Sequence, residues 1–331
     1  MDYMFDKLTE AIKTHSNVLI MSHRKPDLDG MGSSIGLYKI VCSMKKDCYI
    51  INPYERVTRS LEKGLDLLKN KNINIDYKHD NELDDIINEN TLLIVLDTQK
   101  PDLVESKKLL TEVKDIFVID HHMNSSSHID DCIFEYINSS KSSIAEIVTE
   151  YYKYLGKTIN SDLATILLAG LEIDTNSYNV KTSEDTFKAS AYLLKCGANL
   201  IDKQSLLKEL KEDFIQRQEY VRNSEFIEDR IAICVMDDII HDNVDLAMIS
   251  DELIRFEGIE ASFTIGKLSE NIVGVSARSV GNISVGNLMT EIGGGGHVTD
   301  AAAQIKDKTM KEVKEIITKL VLEEKNESNI Y

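Results

Sequence analysis

Positive charge is in short supply in this chain. Its 331 residues carry 38 Lys and Arg against 56 Asp and Glu, a formal net charge of −18. A protein that grips a long nucleic-acid backbone needs a basic stripe, so that partner class is excluded. A small anionic substrate is not excluded, because metal ions and one or two arginines reverse the field locally. Long apolar runs are also missing. The longest nearly unbroken one, Ile166 to Ile173, is far too short to cross a bilayer, and no membrane segment is expected in this chain. The start, Met1-Asp2-Tyr3-Met4-Phe5-Asp6, lacks the basic residues and apolar stretch of a secretory signal, so a cytoplasmic location is expected. Cys42, Cys48, Cys132, Cys196 and Cys234 form no C-x-x-C pair and are odd in number. They are expected to be reduced and mostly buried, which argues against a structural zinc site.

What the chain does have is organised around His23-Arg24-Lys25-Pro26-Asp27-Leu28-Asp29-Gly30. The apolar run Asn17 to Met21 before it reads as a buried parallel strand, and a periodic segment, Ser33 to Ser43, reads as a helix. His23, Asp27 and Asp29 then fall in a loop at the carboxyl end of a strand, where open α/β sheets place their chemistry. Pro26 stiffens the turn, and in an extended segment the i, i+2 spacing turns both carboxylates the same way. Alone, such a loop is explained as a solvated turn or a helix cap.

Other loops answer it. Thr91 to Leu96 reads as a buried strand ending at Asp97, and Asp115 to Ile119 as another ending at Asp120-His121-His122. Strands alternating with helices at this spacing predict a mostly parallel, doubly wound sheet. Two helical stretches are expected to flank a short strand near Ile73 to Tyr77. Helices are expected at 4–15, 143–155 and 163–171, the last leading to Asp174-Thr175. Several carboxylates on one sheet edge repel unless a cation intervenes. One divalent site can take His23, Asp27 and Asp97, and a second can take Asp29, Asp97, His121 and Asp174, with Asp97 bridging. Nitrogen and oxygen donors without thiolate favour two manganese ions, with magnesium, iron or cobalt as substitutes. Such a pair suits in-line hydroxide attack on a phosphoester. His122 either donates a proton to the leaving oxygen, contacts the phosphate or orients a ligand. Asp120 is expected to hold the loop.

The charged stretch 204–226 reads as a connecting helix. Beyond it a smaller mixed α/β unit is expected, with strands near 231–236, 261–265 and 272–277, a helix near 284–292 and a last helix to about Leu322. The expected division is a metal-binding catalytic domain at 1–203, a helical linker at 204–228, a substrate-binding domain at 229–322 and a frayed tail at 323–331. In the second domain Gly293-Gly294-Gly295-Gly296-His297 leaves backbone amides open to phosphate or a base, and Arg278, at a strand end between Ser276 and Ser279, is a planar fork suited to phosphate.

Together His23-x-x-x-Asp27-x-Asp29, Asp97, Asp120-His121-His122, Asp174-Thr175, Ser276-Ala277-Arg278-Ser279 and Gly293 to His297 resemble the DHH/DHHA1 phosphoesterases, in order, from about residue 17 to 322. The resemblance implies a binuclear manganese centre with the ligand assignment above, catalysis through Asp97 and His122, and substrate binding by Ser276, Arg278, Ser279, Gly294, Gly295, Gly296 and His297. Within the family, RecJ-type exonucleases carry domains for which this chain has no room. Stand-alone nano-RNases that dephosphorylate 3′-phosphoadenosine 5′-phosphate have about this length. Stretches such as Ser142 to Glu150, Leu168 to Tyr178 and Gly293 to Ala302 look more like the cyclic-di-AMP phosphodiesterases, which carry a membrane anchor and sensor modules ahead of the same two domains. No such region precedes residue 17, so the chain is expected to be either a soluble form or a catalytic fragment, and Asp300 stands where that branch often has asparagine. The expected activity is opening of cyclic-di-AMP to 5′-pApA, with short RNA or 3′-phosphoadenosine 5′-phosphate as the alternative. A nucleotide sensor without chemistry would lack a ligand, and none is missing. The expected partner is a small nucleotide, and a homodimer is left open.

Overall fold

The computed structural model describes all residues except 56, 72, 125, 126 and 329–331, with backbone alone over 323–328. The chain forms two compact units, Met1–Lys208 and Glu209–Tyr331.

The first unit is built on a parallel sheet of six strands: β1 (Asn17–Met21), β2 (Asp47–Ile51), β3 (Tyr77–Lys78), β4 (Thr91–Leu96), β5 (Asp115–Asp120) and β6 (Phe134–Ile137), in the order β3-β2-β1-β4-β5-β6. The central strands are continuous apolar runs because both faces are covered. Val18, Ile20, Leu92, Ile94 and Phe117 point into a core shared with α1 (Asp2–Thr14), α2 (Leu28–Ser43), α3 (Arg59–Asn70), α5 (Ile144–Tyr154), α6 (Ser161–Asp174), α7 (Glu184–Lys195) and α8 (Leu200–Leu207). Leu19, Met21, Leu93, Val95 and Val118 point the other way, where α4 (Lys107–Glu112) and loop residues Leu83, Val104 and Ile129 cover them. The strand order reverses between β1 and β4, so the loops after those two strands part and leave a crevice at their carboxyl ends.

Several local expectations are corrected. α2 begins at Leu28 rather than Ser33, because the Asp27 carboxylate accepts the Gly30 N–H and caps the helix. Asp27 and Asp29 are therefore not neighbours along an extended segment: one is the cap, the other lies in the first turn. The strand expected near Ile73 is confined to Tyr77–Lys78, and a single 3₁₀ turn, Asp80–Glu82, follows it instead of a helix. The single helix expected over 204–226 is two: α8 stops at Leu207, and α9 (Lys211–Arg222) starts after a break at Lys208 and Leu210, both in extended backbone. Among the cysteines, Cys48 and Cys234 are buried, Cys132 and Cys196 partly so, and Cys42 is exposed, so burial is less general than expected.

The second unit holds a mixed sheet, β7 (Glu225–Ile227), β8 (Ile231–Ile240), β9 (Ala261–Ser269), β10 (Ile272–Ser279), β11 (Gly295–Gly296) and β12 (Asp300–Lys306), ordered β11-β12-β10-β9-β8-β7. Only β8 and β9 pair in parallel, joined by the crossover helix α10 (Asn243–Leu253). α11 (Val285–Glu291) and α12 (Met310–Ser328) cover one face, α9 and α10 the other. The tail expected from residue 323 is α12 as far as Ser328, since Glu323, Glu324 and Lys325 are helix formers; the rest lies outside the described residues. No helix among the described residues is long and apolar enough to cross a membrane.

Candidate metal centre and the glycine loop

Four loops of the first unit bring their polar groups to one point at the carboxyl ends of β1, β4 and β5. Asp97, the residue after β4, is the hub. Its backbone is left-handed, φ 65°, a conformation that asparagine and aspartate tolerate better than other side chains. Asp97 Oδ2 lies 3.4 Å from His23 Nε2, and Oδ1 lies 3.2 Å from His121 Nε2. His121 Nε2 is also 3.1 Å from Asp174 Oδ2. These approaches to His121 lack hydrogen-bond alignment, so Asp97 Oδ1 and both ring nitrogens of His121 are buried without a hydrogen-bond partner among the described residues. A buried carboxylate oxygen and an imidazole nitrogen that face each other without a well-aligned hydrogen bond fit a shared cation.

Tautomers and helix ends agree. His23 Nδ1 is 2.9 Å from the Arg24 carbonyl, an acceptor only, so Nδ1 keeps its proton and Nε2 is the nitrogen that can give one up and turn a lone pair to a cation. Asp174 ends α6, where the helix dipole disfavours an anion and favours a nearby positive charge. Asp29 is fully buried, and its two oxygens accept the N–H groups of Ile144 and Ala145, each at 2.8 Å. The amino end of α5 thus fixes the Asp29 carboxylate. His23, Asp27 and Asp97 form one group able to hold an ion; Asp29, His121 and Asp174 form another. His122 has its Nδ1 2.7 Å from Asp120 Oδ1 and 3.8 Å from Asp97 Oδ1. Gln99 donates to the other Asp120 oxygen at 2.9 Å, so Asp120 is held from one side while it holds His122 from the other. A further acidic trio, Glu146, Glu150 and Asp185, is answered by the Lys141 ammonium at 2.9, 3.0 and 3.2 Å, and needs no ion.

The electrostatics report the same crowding. Burial, with the charges of Asp174 and Asp97, pushes Asp27 up from its ordinary 3.8 to about 6. Burial and the same two neighbours push Asp29 well above the usual range. Burial would lower His23, but the hydrogen bond and charge of Asp97 outweigh it and raise His23 from 6.5 to about 9. Burial would raise Asp97, yet His121 and His23 hold it well below the carboxylate range. Between pH 3.8 and about 6 the folded metal-free chain holds a proton on Asp27 that the unfolded chain has released, so stability falls as pH rises through that window. The stability from charged His23 is complete below pH 6.5 and lost as pH rises through about 9. Divalent cations held by these groups would replace the protons. Manganese is therefore expected to raise the thermal midpoint by about 5–10 °C at pH 8 and by little at pH 5. Equal shifts at both pH values, measured by calorimetry, contradict the assignment.

Gly30 and Ser22 carry no sequence signal that marks them as site residues. A Cβ on Gly30 would lie 2.5 Å from Ser22 Oγ, 3.0 Å from Asp97 Oδ2 and 3.4 Å from His23 Nε2. The first turn of α2 therefore packs directly against the donors. The support of Asp29 by α5 has a faint signature in Ser143-x-x-Glu146, since Ser143 caps that helix by accepting the Glu146 N–H.

In the second unit, Arg278 near the end of β10 is flanked by two carboxylates. Its Nε is 2.6 Å from Asp251 Oδ1 and 3.1 Å from Asp300 Oδ1, and its Nη1 donates to Ser276 Oγ and the Ala277 carbonyl. Ser276 and Ser279 are the two serines expected to bind substrate. Both are buried, and Ser279 Oγ donates to the Val298 carbonyl and accepts the Gly281 N–H. The glycines are not a free loop either. Gly295 and Gly296 pair with Ala302 and Ala301, and side chains at Gly294 and Gly296 would run into β12. A Cβ on Gly295 would meet open space, and His297 donates its N–H to the Asp300 carbonyl at 2.6 Å.

Residues 17–171 match the family model "DHH family, N-terminal domain", and residues 228–323 match the "DHHA1 domain". The cyclic-di-AMP phosphodiesterase GdpP of Geobacillus thermodenitrificans is 37% identical over 93% of this chain and 47% of its own length. The chain thus spans about half the length of such curated relatives. The bifunctional oligoribonuclease and PAP phosphatase NrnA of Thermus thermophilus is 26% identical over 93% of this chain and 90% of its own length. An exopolyphosphatase-related protein from Bacteroides fragilis shares the fold, with a TM-score of 0.79, 20% identity and coverage of 98% of this chain and 96% of that one. With both domains present in order and the donor residues gathered at the sheet edge, the chain belongs to the DHH/DHHA1 family.

Proposed function

We propose that this chain is a manganese-dependent phosphodiesterase that opens cyclic-di-AMP to linear 5′-pApA. The observation that carries the reading is Asp97, a buried carboxylate with one oxygen toward His23 and the other toward His121. His23, Asp27 and Asp97 would hold one ion, and Asp29, Asp97, His121 and Asp174 would hold the other. When bound, such a pair makes water nucleophilic near neutral pH and offsets charge on the phosphoryl oxygens. Magnesium, cobalt and iron suit the same donors. The chain's own residues do the rest. Asp120 fixes the Nδ1 side of His122, whose side chain is 54% exposed. Protonated His122 gives its Nε2 proton to the departing 3′ oxygen as the P–O3′ bond breaks. Arg278 and the open edge at Gly295 receive nucleotide phosphate in the second domain, with His297 beside them.

The substrate choice draws on the 37% identical cyclic-di-AMP phosphodiesterase. A second reading, cleavage of short RNA and 3′-phosphoadenosine 5′-phosphate, is favoured by the match to nearly the full length of NrnA. The test is turnover of all three substrates side by side with manganese. Cyclic-di-AMP is expected to lead by about tenfold or more in kcat/KM. Intact cyclic-di-AMP with degraded RNA establishes the second reading. Tight nucleotide binding with no product from any of them makes the chain a sensor.

A further inference from the structure

Asp29 is held by the amides of Ile144 and Ala145, and those amides are themselves held by a buried knot of charge. Glu146, in the first turn of α5, is fully buried. Its Oε2 accepts from Ser142 Oγ at 2.6 Å, from the Ser142 N–H at 3.3 Å and from Thr186 Oγ1 at 2.8 Å. Lys141 Nζ lies 2.9 Å from its Oε1. The same ammonium meets Glu150 and Asp185, and Lys188 offsets Asp185 and Glu184 from outside. A buried carboxylate is costly unless its oxygens are answered, so these partners are kept in place.

The knot reaches the supports of both acidic donors in one ion group. On one side it ties Lys141 and Ser142, just ahead of the Ile144 and Ala145 amides that hold Asp29. On the other it ties Thr186, in the first turn of α7. That helix also carries Ser190 and Phe187, which hold Tyr178 by a hydroxyl contact of 3.1 Å and a ring stack at 5.5 Å. The Tyr178 N–H donates to the hydroxyl of Thr175, the residue after Asp174. The other ion group draws its donors from the ends of β1 and β4 and from the cap of α2.

We propose that Glu146 is a positioning residue that sets the affinity for the ion of Asp29, His121 and Asp174 without touching it. This rests on the reading of those three residues as an ion group. Removing an outer partner of a metal ligand lowers metal affinity by about 10–100-fold. Glutamine keeps the shape of Glu146 but turns an NH2 either to the Lys141 ammonium or to the Ser142 N–H, and neither can accept from it. One side of the knot therefore opens whichever way the amide turns.

The test is calorimetric titration of the full chain, stripped of metal, with manganese. The parent is expected to show two binding steps. Glu146→Gln is expected to weaken one of them by about tenfold or more and to leave the other within about threefold. Asp29→Asn marks which step belongs to the Asp29 group, and the two variants are expected to act on the same one. Ser142→Ala removes a single hydroxyl and is expected to weaken that step by about threefold. It decides the matter if Glu146→Gln does not fold. Weakening of both steps alike, of the other step alone, or of neither overturns the proposal, and Glu146 then serves the fold alone. A parent with one step, or an Asp29→Asn variant that moves neither, overturns the reading of that ion group and the proposal with it.

Discussion

Replacing Asp97 is expected to cost turnover about 10⁴-fold or more, because on the proposed assignment one side chain would serve both ion groups. Its oxygens face His23 on one side and His121 on the other, and it belongs both to the group with His23 and Asp27 and to a group with His121 and His122. Alanine would also strain the left-handed backbone at φ 65°. Asp97→Asn is the cleaner variant, since asparagine tolerates that conformation and keeps the shape while losing the charge. Both variants are expected to hold less manganese, measured by elemental analysis after desalting. Nucleotide binding through Arg278 is expected to survive. A variant that keeps its rate within about tenfold of the parent contradicts the bridging assignment.

Gly30→Ala is the second large effect, and it separates packing from chemistry. Gly30 lies inside α2, where alanine is the better helix former by about 1 kcal/mol, so the fold is expected to hold. The added methyl, however, lands 2.5 Å from Ser22 Oγ and 3.0 Å from Asp97 Oδ2. Either the helix backs away or the donors do, and a displacement of some tenths of an ångström at the centre is expected to lower kcat by about 10²-fold. Ser22→Ala removes the nearest obstacle. Because Ser22 Oγ is buried without a hydrogen-bond partner, that change alone is expected to be mild. The double variant is expected to recover part of the rate. Full activity in Gly30→Ala shows that the first turn of α2 does not confine the site.

The strands and the donor positions are legible because they are written locally. An apolar run followed by aspartate or histidine announces a strand and what stands at its end, as at Leu96-Asp97 and Ile119-Asp120-His121. The start of α2 is hidden because its signal is a cap, the Gly30 N–H donated to the Asp27 carboxylate, that outweighs the glycines at positions 30 and 32. The roles of the glycine run escape for a different reason. Glycine allows close approach without saying to what, and at Gly294 and Gly296 the approaching group is β12 rather than a ligand. Arg278 reads as a free fork because Asp251 lies on another element, 27 positions away, and its pairing is a tertiary fact. The short cover of the second face of the parallel sheet by α4 and loops leaves no helical periodicity to read.

The amide bonds to Asp29 also bear on when the molecule becomes competent. The N–H groups of Ile144 and Ala145 come from 115 and 116 positions away. While a chain is being synthesised, the residues around His23 emerge long before the helix that fixes their most deeply buried member. The amide support of Asp29 is therefore absent from any chain that has not yet reached Ala145. On the proposed assignment, ion binding by Asp29, His121 and Asp174 would be a late event that waits until the chain has been made as far as Asp174.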